Sequence, residues 1–319
     1  MKKCLGALAV VLAAALSAHA ADFPSHPLRL VVPSTPGGAL DVLARVISPA
    51  LMEKWGQQIV IDNRAGAGGI IGTEIVARAA PDGYTLLIVA PGFATNPFLA
   101  RTLPYDTAND FTPVIMAALS ANALVAHPAL PVHTVKELIA LAKERPGQLN
   151  YASSGNGSTG HLCMELLKRM AGINLAHVPY KGAGAATASV VAGQTPLLFS
   201  AVGAVIPYVK ANRLRALAVA GAKRSGAMPE VPTIAEAGVP GYAVDNWYAI
   251  IGPRNIPAAT TVRINRDILD VLKSPDVASR IAALGFEVAG LTPQETGAYI
   301  AREMKTWRAV INDAGIRPD

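Results

Sequence analysis

Two glycine-rich segments, each between a predicted strand and a predicted helix, constrain this chain most. The first is Pro33–Asp41, with the sequence PSTPGGALD, and the second is Ser153–His161, with the sequence SSGNGSTGH. The first turn of a helix has backbone N–H groups without intrahelical partners, and the helix dipole favours an anion there. Neither segment contains the lysine that a nucleotide-binding P-loop requires. The pair therefore predicts two loops that hold a small carboxylate between them.

The first twenty residues have the pattern of a secretory signal peptide. Lys2 and Lys3 form a basic start, Leu5–Leu16 is apolar, and Ala18–Ala20 fits the small-x-small cleavage rule. The apolar run is shorter than the roughly 20 residues that span a membrane. We therefore expect residues 1–20 to be removed near Ala20, and the mature protein to be a soluble protein of the periplasm.

The charge and the cysteine content exclude several classes of partner. The net charge of the whole chain is +6 and falls by two with the loss of Lys2 and Lys3. The sequence has no basic run and no nucleic-acid motif, so no nucleic-acid partner is expected. Cys163 is the one cysteine that remains after cleavage, which excludes an intrachain disulfide. The histidines and Cys163 form no pattern of metal-ligand spacing, so we expect neither a metal nor a cofactor.

Beyond the signal peptide, apolar strand patterns alternate with helical patterns. Predicted strands at Leu28–Val32, Gln58–Asp62 and Tyr84–Ala90 are separated by helical spacing of apolar residues. Pro49 lies inside the first helical pattern, from Leu40 to Trp55, and is expected to kink or divide it. This alternation predicts an α/β fold with a mostly parallel sheet and helices on both faces.

Two long extended segments, Pro113–Ala126 and Tyr242–Gly252, flank the middle of the chain. The first is expected to break near Ser120–Asn122, where polar residues interrupt the apolar pattern. Together they predict a discontinuous two-domain fold, with residues 22–120 and 245–319 in the first domain and residues 121–244 in the second. The two crossing strands would form a hinge, and the cleft between the domains would hold a small ligand.

The second glycine-rich segment also admits two other interpretations. Gly155, Gly157 and Gly160 match the dinucleotide pattern G-x-G-x-x-G, but the next predicted strand does not end in the acidic residue that binds the ribose. Ser158 and His161 would allow an exported serine hydrolase or esterase, but the G-x-S-x-G elbow is absent. Capping of a helix by Ser158 explains the same residues, so the hydrolase stays as the alternative function.

Several single polar residues have two possible roles. Asp41 either complements the dipole of the helix that starts after the first segment or accepts a hydrogen bond from the ligand. His127, His133 and His177 are scattered, and each lies beside a proline or an apolar run, so we interpret them as structural.

The chain resembles the Bug family, the periplasmic solute receptors of tripartite tricarboxylate transporters. The resemblance covers essentially the whole mature chain and is specific because several short segments occur in the family's order and spacing. These segments are Pro33–Asp41, Asp62–Gly72, Pro81–Leu87, Tyr151–Ser158, Val178–Gly182 and Val231–Gly238.

The resemblance implies a two-domain, type II periplasmic-binding-protein-like fold that closes on its ligand without enzymatic activity. It implies that both loops grip one carboxylate, largely through backbone N–H groups and ordered waters. The ligand-binding positions carried over are Thr35, Gly38, Ala39 and Asp41 in the first loop and Ser153, Ser154, Gly155, Ser158, Thr159 and His161 in the second. More variable positions would read the distal end of the ligand, here Phe93, Asn96, Ala204 and Asp245.

The resemblance also implies the partners of the protein. A monomeric receptor would deliver the carboxylate to the membrane permease subunits of a tripartite transporter, or alternatively signal to a sensor protein. Two departures from the family's pattern leave the ligand's identity open. Gln194–Ser200 lacks the expected aspartate near Pro196 and Ser200, and Ala249 stands where a glycine is usual.

Overall fold

A ten-stranded sheet organises the structure, a computed structural model that describes residues 23–316. The expected signal peptide, residues 1–20, lies outside the described residues. The strands are β1 (Leu28–Val32), β2 (Ile59–Asn63), β3 (Thr85–Val89), β4 (Phe111–Ala126), β5 (Asn150–Ser153), β6 (Ala176–Pro179), β7 (Leu197–Ala201), β8 (Arg215–Val219), β9 (Asp245–Pro253) and β10 (Glu287–Leu291).

Helices connect most of these strands. They are α1 (Ala39–Trp55), α2 (Ile70–Ala77), α3 (Gly92–Leu99), α4 (Val135–Glu144), α5 (Thr159–Ala171), α6 (Ala183–Val191), α7 (Val202–Lys210), α8 (Ala258–Lys273), α9 (Pro275–Ala283) and α10 (Pro293–Asp313). Pro49 does not divide α1, which runs unbroken and buries Leu43, Ile47 and Leu51 along one face. Within residues 23–316, no helix combines the length and the apolar character needed to cross a bilayer.

The order of the strands is β2-β1-β3-β9-β4-β7-β5-β6, with β8 and β10 also paired to β4. Strand β1 is parallel to β2 and β3, and β5 is parallel to β6 and β7. The pairs made by β4 and β9 are antiparallel. The expected parallel arrangement therefore describes the outer strands, while the centre of the sheet is antiparallel because β4 and β9 run in opposite directions through it.

Strand β4 is continuous over 16 residues, and the expected break near Ser120–Asn122 is wrong. Its residues up to Ala121 pair with β9, whereas those from Asn122 onward pair with β7. The polar side chains in the middle of the strand find partners on β9 instead of ending the strand. The Oγ of Ser120 lies 3.4 Å from the hydroxyl of Tyr248, and the Oδ1 of Asn122 accepts from Asn246 at 3.1 Å.

The exchange of partners along β4 defines two lobes. The first lobe contains β1–β3, the start of β4, β9, β10, α1–α3 and α8–α10. The second lobe contains the end of β4, β5–β8 and α4–α7. The last turns of α10 reach across, since Trp307, Val310 and Ile311 pack into the core of the second lobe with Leu167. Parallel strands end at the same edge, so the loops that follow β1 and β5 lie at the boundary of the lobes.

Helix α5 approaches β7 so closely that its second residue must be a glycine. A Cβ on Gly160 would lie 2.6 Å from the carbonyl oxygen of Phe199, whereas a Cβ on Gly184, the second residue of α6, would meet no atom within 4 Å. We expect Gly160→Ala to lower the free energy of unfolding by about 1–3 kcal/mol through overpacking. Gly184→Ala should raise it by up to about 1 kcal/mol because alanine has the higher helix propensity. Urea unfolding of both variants measures the difference, and equal effects would contradict the close approach.

Candidate functional site

The first loop, residues 33–41, joins β1 to α1 and folds back on itself. Gly37 has a φ of +82°, which favours a residue without a Cβ. Its N–H donates to the Oδ2 of Asp41 at 2.9 Å, and the N–H of Gly38 donates to the carbonyl of Thr35 at 3.3 Å. Gly38 is the N-cap of α1 in an extended conformation. These bonds fix the position at which α1 begins.

Asp41 is a buried carboxylate that holds the first loop together. Besides the N–H of Gly37, it accepts from the Nε of Arg45 at 2.9 Å and from the Nδ2 of Asn63 at 3.0 Å. The hydrogen bond from Arg45, reinforced by those from Gly37 and Asn63, lowers the pKa of Asp41 to about 2 against the opposing effect of burial. Its oxygens are therefore engaged within the protein.

The second loop, residues 153–161, joins β5 to α5 and is also internally bonded. The buried Oγ of Ser153 accepts from the N–H of Gly155 at 3.1 Å, and the Nδ1 of His161 accepts from the N–H of Gly157 at 3.0 Å. The Oγ of Ser158 accepts from the N–H of His161 at 3.4 Å and so caps α5. The carbonyl of Ser154 is taken by the amide of Gly182. The loop is therefore held in one shape before any ligand binds.

The first turns of the two helices are one source of amides for a ligand. Within residues 23–316, the N–H groups of Ala39, Leu40 and Asp41 in α1, and of Thr159 and Gly160 in α5, have no acceptor. The loop glycines, which the sequence suggests as donors, donate within their own loops instead. Two sets of free donors at positive helix ends, one from each lobe, are suited to bind an anion.

The first loop lines a cavity of about 250 Å³ between the lobes. Its other wall is the start of α7 in the second lobe, and its floor is the centre of β4 and β9. Ala39 of the first lobe and Ala204 of the second lobe both line this space. The lining residues are Gly37, Ala39, Val42, Ser120, Ala121, Ala201–Ala204, Tyr248 and Leu284–Phe286.

The second loop lines a neighbouring cavity of about 590 Å³. Here Ser158 of the second lobe and Asn96 of the first lobe lie in the same lining, and Asn96 donates to the carbonyl of Gly68 at 3.2 Å. Leu99 packs so closely against Gly157 that a Cβ on this glycine would lie 2.6 Å from it. The two loops thus line two chambers, each with walls from both lobes, and the lobes touch between α3 and the second loop.

Four of the fourteen candidate residues line a chamber, namely Ala39, Asn96, Ser158 and Ala204. Of the other ten, Phe93 and Asp245 line other cavities. Phe93 is buried against Phe111, with ring centroids 5.1 Å apart, because it belongs to the core between α3 and β4. Asp245 lies on the opposite face of the hinge strands from Tyr248, since side chains alternate along β9. It lines a separate cavity of about 300 Å³ with Lys223, Glu287 and Tyr299. The sequence groups these two residues with the loops, and the structure does not bring them together.

The cavity behind the hinge strands is acidic. Burial, together with the negative charges of Glu287 and Glu303, raises the pKa of Asp245 to about 6, against a hydrogen bond from the amide of Ala222. Burial also raises the pKa of Glu303, whose Oε2 accepts from the indole N–H groups of two tryptophans. Within the described part of the chain, no cluster of three His, Cys, Asp or Glu side chains is placed to hold a metal ion.

His177 is a residue of the site that the sequence analysis treats as structural. Its Nε2 lies 2.6 Å from the Oγ of Ser153, and its ring stacks on that of His161. The parallel pairing of β5 with β6 sets Tyr151 beside His177 and so brings the histidine under the second loop. No local sequence signal reports this contact, because it depends on which strands pair and in which register.

Comparisons with known proteins find relatives over most of this chain. A family model described as tripartite tricarboxylate transporter family receptor matches residues 43–316. BugT of Bordetella pertussis is 36% identical over 92% of this chain and 91% of its own length. A protein from the tcbD-tcbE intergenic region of Pseudomonas sp. strain P51 is 39% identical, over 91% and 86%. The structure of Rpa4515 of R. palustris with adipate has 40% identity and a TM-score of 0.79, and covers 93% of this chain and 100% of that one.

The engagement of Asp41 predicts a pH-dependent contribution to stability. A carboxyl whose pKa falls to about 2 on folding stabilises the folded state above its unfolded pKa, near 4, and loses this effect as the pH falls towards 2. We expect Asp41→Asn to lower the free energy of unfolding by about 2 kcal/mol at pH 7 and by less at pH 3. Asp276→Asn, at an exposed position in the first turn of α9, is the matched control and should change stability by less than about 0.5 kcal/mol. A loss for Asp41→Asn that is equal at pH 7 and pH 3 in urea unfolding would contradict this role.

Asp245 predicts the opposite pH dependence. Its pKa is raised on folding, so its ionisation destabilises the protein as the pH rises from about 4 through about 6. Asp245→Asn should therefore raise the free energy of unfolding by roughly 1–3 kcal/mol at pH 7 and change it little at pH 4. Thermal unfolding across this range measures the effect, with exposed Glu144→Gln as the control. If the stabilisation did not grow with pH, the ionised Asp245 would not be destabilised by its burial in the acidic cavity.

Proposed function

The chain belongs to the tripartite tricarboxylate transporter receptor family, and from that premise we propose that it captures a small organic carboxylate in the cleft between its lobes and presents it to a membrane transporter. The observation that carries the proposal is the pair of free donor sets at the starts of α1 and α5. Charge-assisted hydrogen bonds from such amides are strong where water is excluded. The relative Rpa4515 is described with adipate, a dicarboxylate, which supports this class of ligand.

We propose that residues 22–120 with 245–319 and residues 121–244 move as two domains about a hinge. The support is that β4 changes partners between Ala121 and Asn122, and that β9 begins opposite this point at Asp245. A ligand that contacts both loops only in the closed form would shift the equilibrium towards closure. The packing of α10 across the boundary would limit how far the domains open.

The remaining features of the proposed receptor concern its place in the cell. Cleavage near Ala20 would release a monomer into the periplasm, where the closed form would dock on the permease subunits of a tripartite transporter. A sensor protein is the alternative recipient. The family to which the chain belongs supports the transporter as partner.

We propose binding without chemical turnover, in preference to an exported serine hydrolase. Ser158 caps α5 through its Oγ, and the ring of His161 accepts the N–H of Gly157 through Nδ1. Neither contact joins the hydroxyl of Ser158 to the imidazole, as a nucleophile and its base require. Hydrolysis of a nitrophenyl ester that disappears in Ser158→Ala would favour the enzyme. Equal background rates in both proteins favour the receptor.

A screen of carboxylates tests the ligand class. Adipate and other small carboxylates should raise the melting temperature, since a ligand at 100 times its Kd stabilises the folded state by about 2.7 kcal/mol. The matched neutral amides, such as adipamide, should not. If an amide or a sugar stabilised the protein and no carboxylate did, the proposed function would be wrong.

Single prolines can remove the proposed donors without disturbing the helices. Ala39 and Thr159 are the first residues of α1 and α5, where proline fits, and the residues before them are extended as proline requires. We expect Ala39→Pro and Thr159→Pro each to weaken carboxylate binding by about 10-fold to 100-fold, the value of one hydrogen bond to a charged group. Isothermal titration measures this loss.

The control is Ala258→Pro, at the exposed first residue of α8, which lines neither chamber. It should leave the affinity unchanged. Full affinity in both Ala39→Pro and Thr159→Pro, with melting temperatures near that of the unaltered protein, would remove these amides from the binding site.

A further inference from the structure

Two imidazole rings stack beneath the second loop. His161 on α5 and His177 on β6 have ring centroids 3.9 Å apart and planes only 8° from parallel. The ring of Tyr151 on β5 continues the stack, 5.0 Å from that of His177. His161 is 5% exposed and Tyr151 is fully buried, whereas His177 is half-buried.

Each histidine bonds to a different part of the second loop. The N–H of Gly157 donates to the Nδ1 of His161 at 3.0 Å, so this nitrogen carries no proton and the neutral ring is protonated at Nε2. The Nε2 of His177 lies 2.6 Å from the Oγ of Ser153, and the same oxygen accepts from the N–H of Gly155. The stacked pair thereby fixes both ends of the segment that leads into the free amides of α5.

Two charged side chains, those of Glu165 and Lys168, lie beside the stack. Glu165 of α5 accepts from the hydroxyl of Tyr151 at 2.6 Å and from the Nζ of Lys168 at 2.7 Å. Its Oε1 is 3.8 Å from the Nε2 of His161, and Lys168 lies over the ring of Tyr151, 5.8 Å from its centroid. The single carboxylate is thus shared with a lysine and a phenol, which leaves it little capacity to stabilise an imidazolium.

We propose that His161 and His177 are a positioning pair, which keeps the second loop in its carboxylate-binding shape only while both rings are neutral, so that acidification weakens ligand binding. The inference rests on the proposed function of the second loop. It adds His177 to the site and assigns His161 to the support of the loop, away from the ligand.

Protonation of His161 breaks a contact that the neutral ring makes. A proton on the Nδ1 of His161 takes the lone pair that the N–H of Gly157 needs. Two imidazolium rings stacked at 3.9 Å would also repel each other strongly. Burial, and then the neighbouring His177, lowers the pKa of His161 to about 4, and burial likewise lowers the pKa of His177. A loop that lets His161 reach water returns its pKa to about 6.5, so acid favours the open loop.

The test compares adipate affinity between pH 7 and pH 5 in four proteins. In the unaltered chain, the pKa of His161 rises from about 4 in the closed loop to about 6.5 in the open loop. This rise allows the affinity for adipate to fall by up to about 30-fold at pH 5. His161→Asn keeps an acceptor for Gly157 but does not titrate, so it should bind at pH 7 and lose much less at pH 5. His161→Phe keeps a stacked ring without the acceptor and should bind about 5-fold to 10-fold more weakly already at pH 7.

The control is His133→Asn, at an exposed histidine of the same lobe, which should follow the pH profile of the unaltered chain. The ligand's own titration is common to all four proteins and cancels in the comparison. Identical pH profiles for the unaltered chain and His161→Asn would overturn the proposal.

A second measurement separates this inference from the proposed function. In amide NMR, the protection of the Gly157 N–H from exchange should be lost on acidification of the unaltered protein and retained in His161→Asn. Retention in both would overturn the positioning role without touching the receptor function. If no carboxylate bound any of the proteins at pH 7, the proposed function would fail, while the NMR result would still decide the role of the pair.

Discussion

The hydrogen bonds of β4 hold the two lobes together, and the other features of the cleft depend on them. The strand pairs with β9 up to Ala121 and with β7 from Asn122, without interruption of its own backbone. Buried backbone groups must stay paired, so neither lobe can leave the strand without a large cost in free energy. Flexing is therefore confined to the point where the partners change. The start of β9, where the chain passes back from the second lobe to the first, lies beside this point. The amide of Val244 still donates to the carbonyl of Ala220 in the second lobe, whereas Asp245 already pairs with β4.

This arrangement brings backbone donors to both chambers, and the lining of the second chamber adds the cationic side chain of Arg101. The strands of each lobe that run parallel end at the boundary, and the helices that follow them begin there. Each loop satisfies its own glycine amides, through Asp41 in the first and through Ser153 and His161 in the second. The internal bonds fix the loops in advance and leave the first helical turns free. A ligand then pays little to order the site, which is the advantage of preorganisation.

Local sequence patterns predict those parts of the structure that local interactions determine. Strand β1 has the predicted bounds, and the glycine-rich loops join strands to helices as expected, because turn residues and apolar periodicity act over a few positions. The break expected at Ser120–Asn122 fails because the polar side chains are paired across strands by Tyr248 and Asn246. For the same reason, the sequence does not show that Phe93 and Asp245 lie away from the loops or that His177 lies under the second loop. Their surroundings depend on strand pairing and on the face of a strand, which a single sequence does not encode locally.

The departure from the family's pattern near Ser200 changes the charge beside the chamber of the first loop. Ser200 stands at the end of β7, beside Ala201, which lines the chamber of the first loop, and an aspartate is the residue that the resemblance leads one to expect nearby. A carboxylate there would neutralise the positive end of α7 and repel an anion in the chamber. Because Ser200 carries no charge, the positive end of α7 faces the chamber without a neutralising carboxylate at this position. The other residues that line this chamber, among them Ala121 and Phe286, carry no charged side chain. Shape and apolar contact therefore select the body of a ligand, while backbone amides bind its charged group.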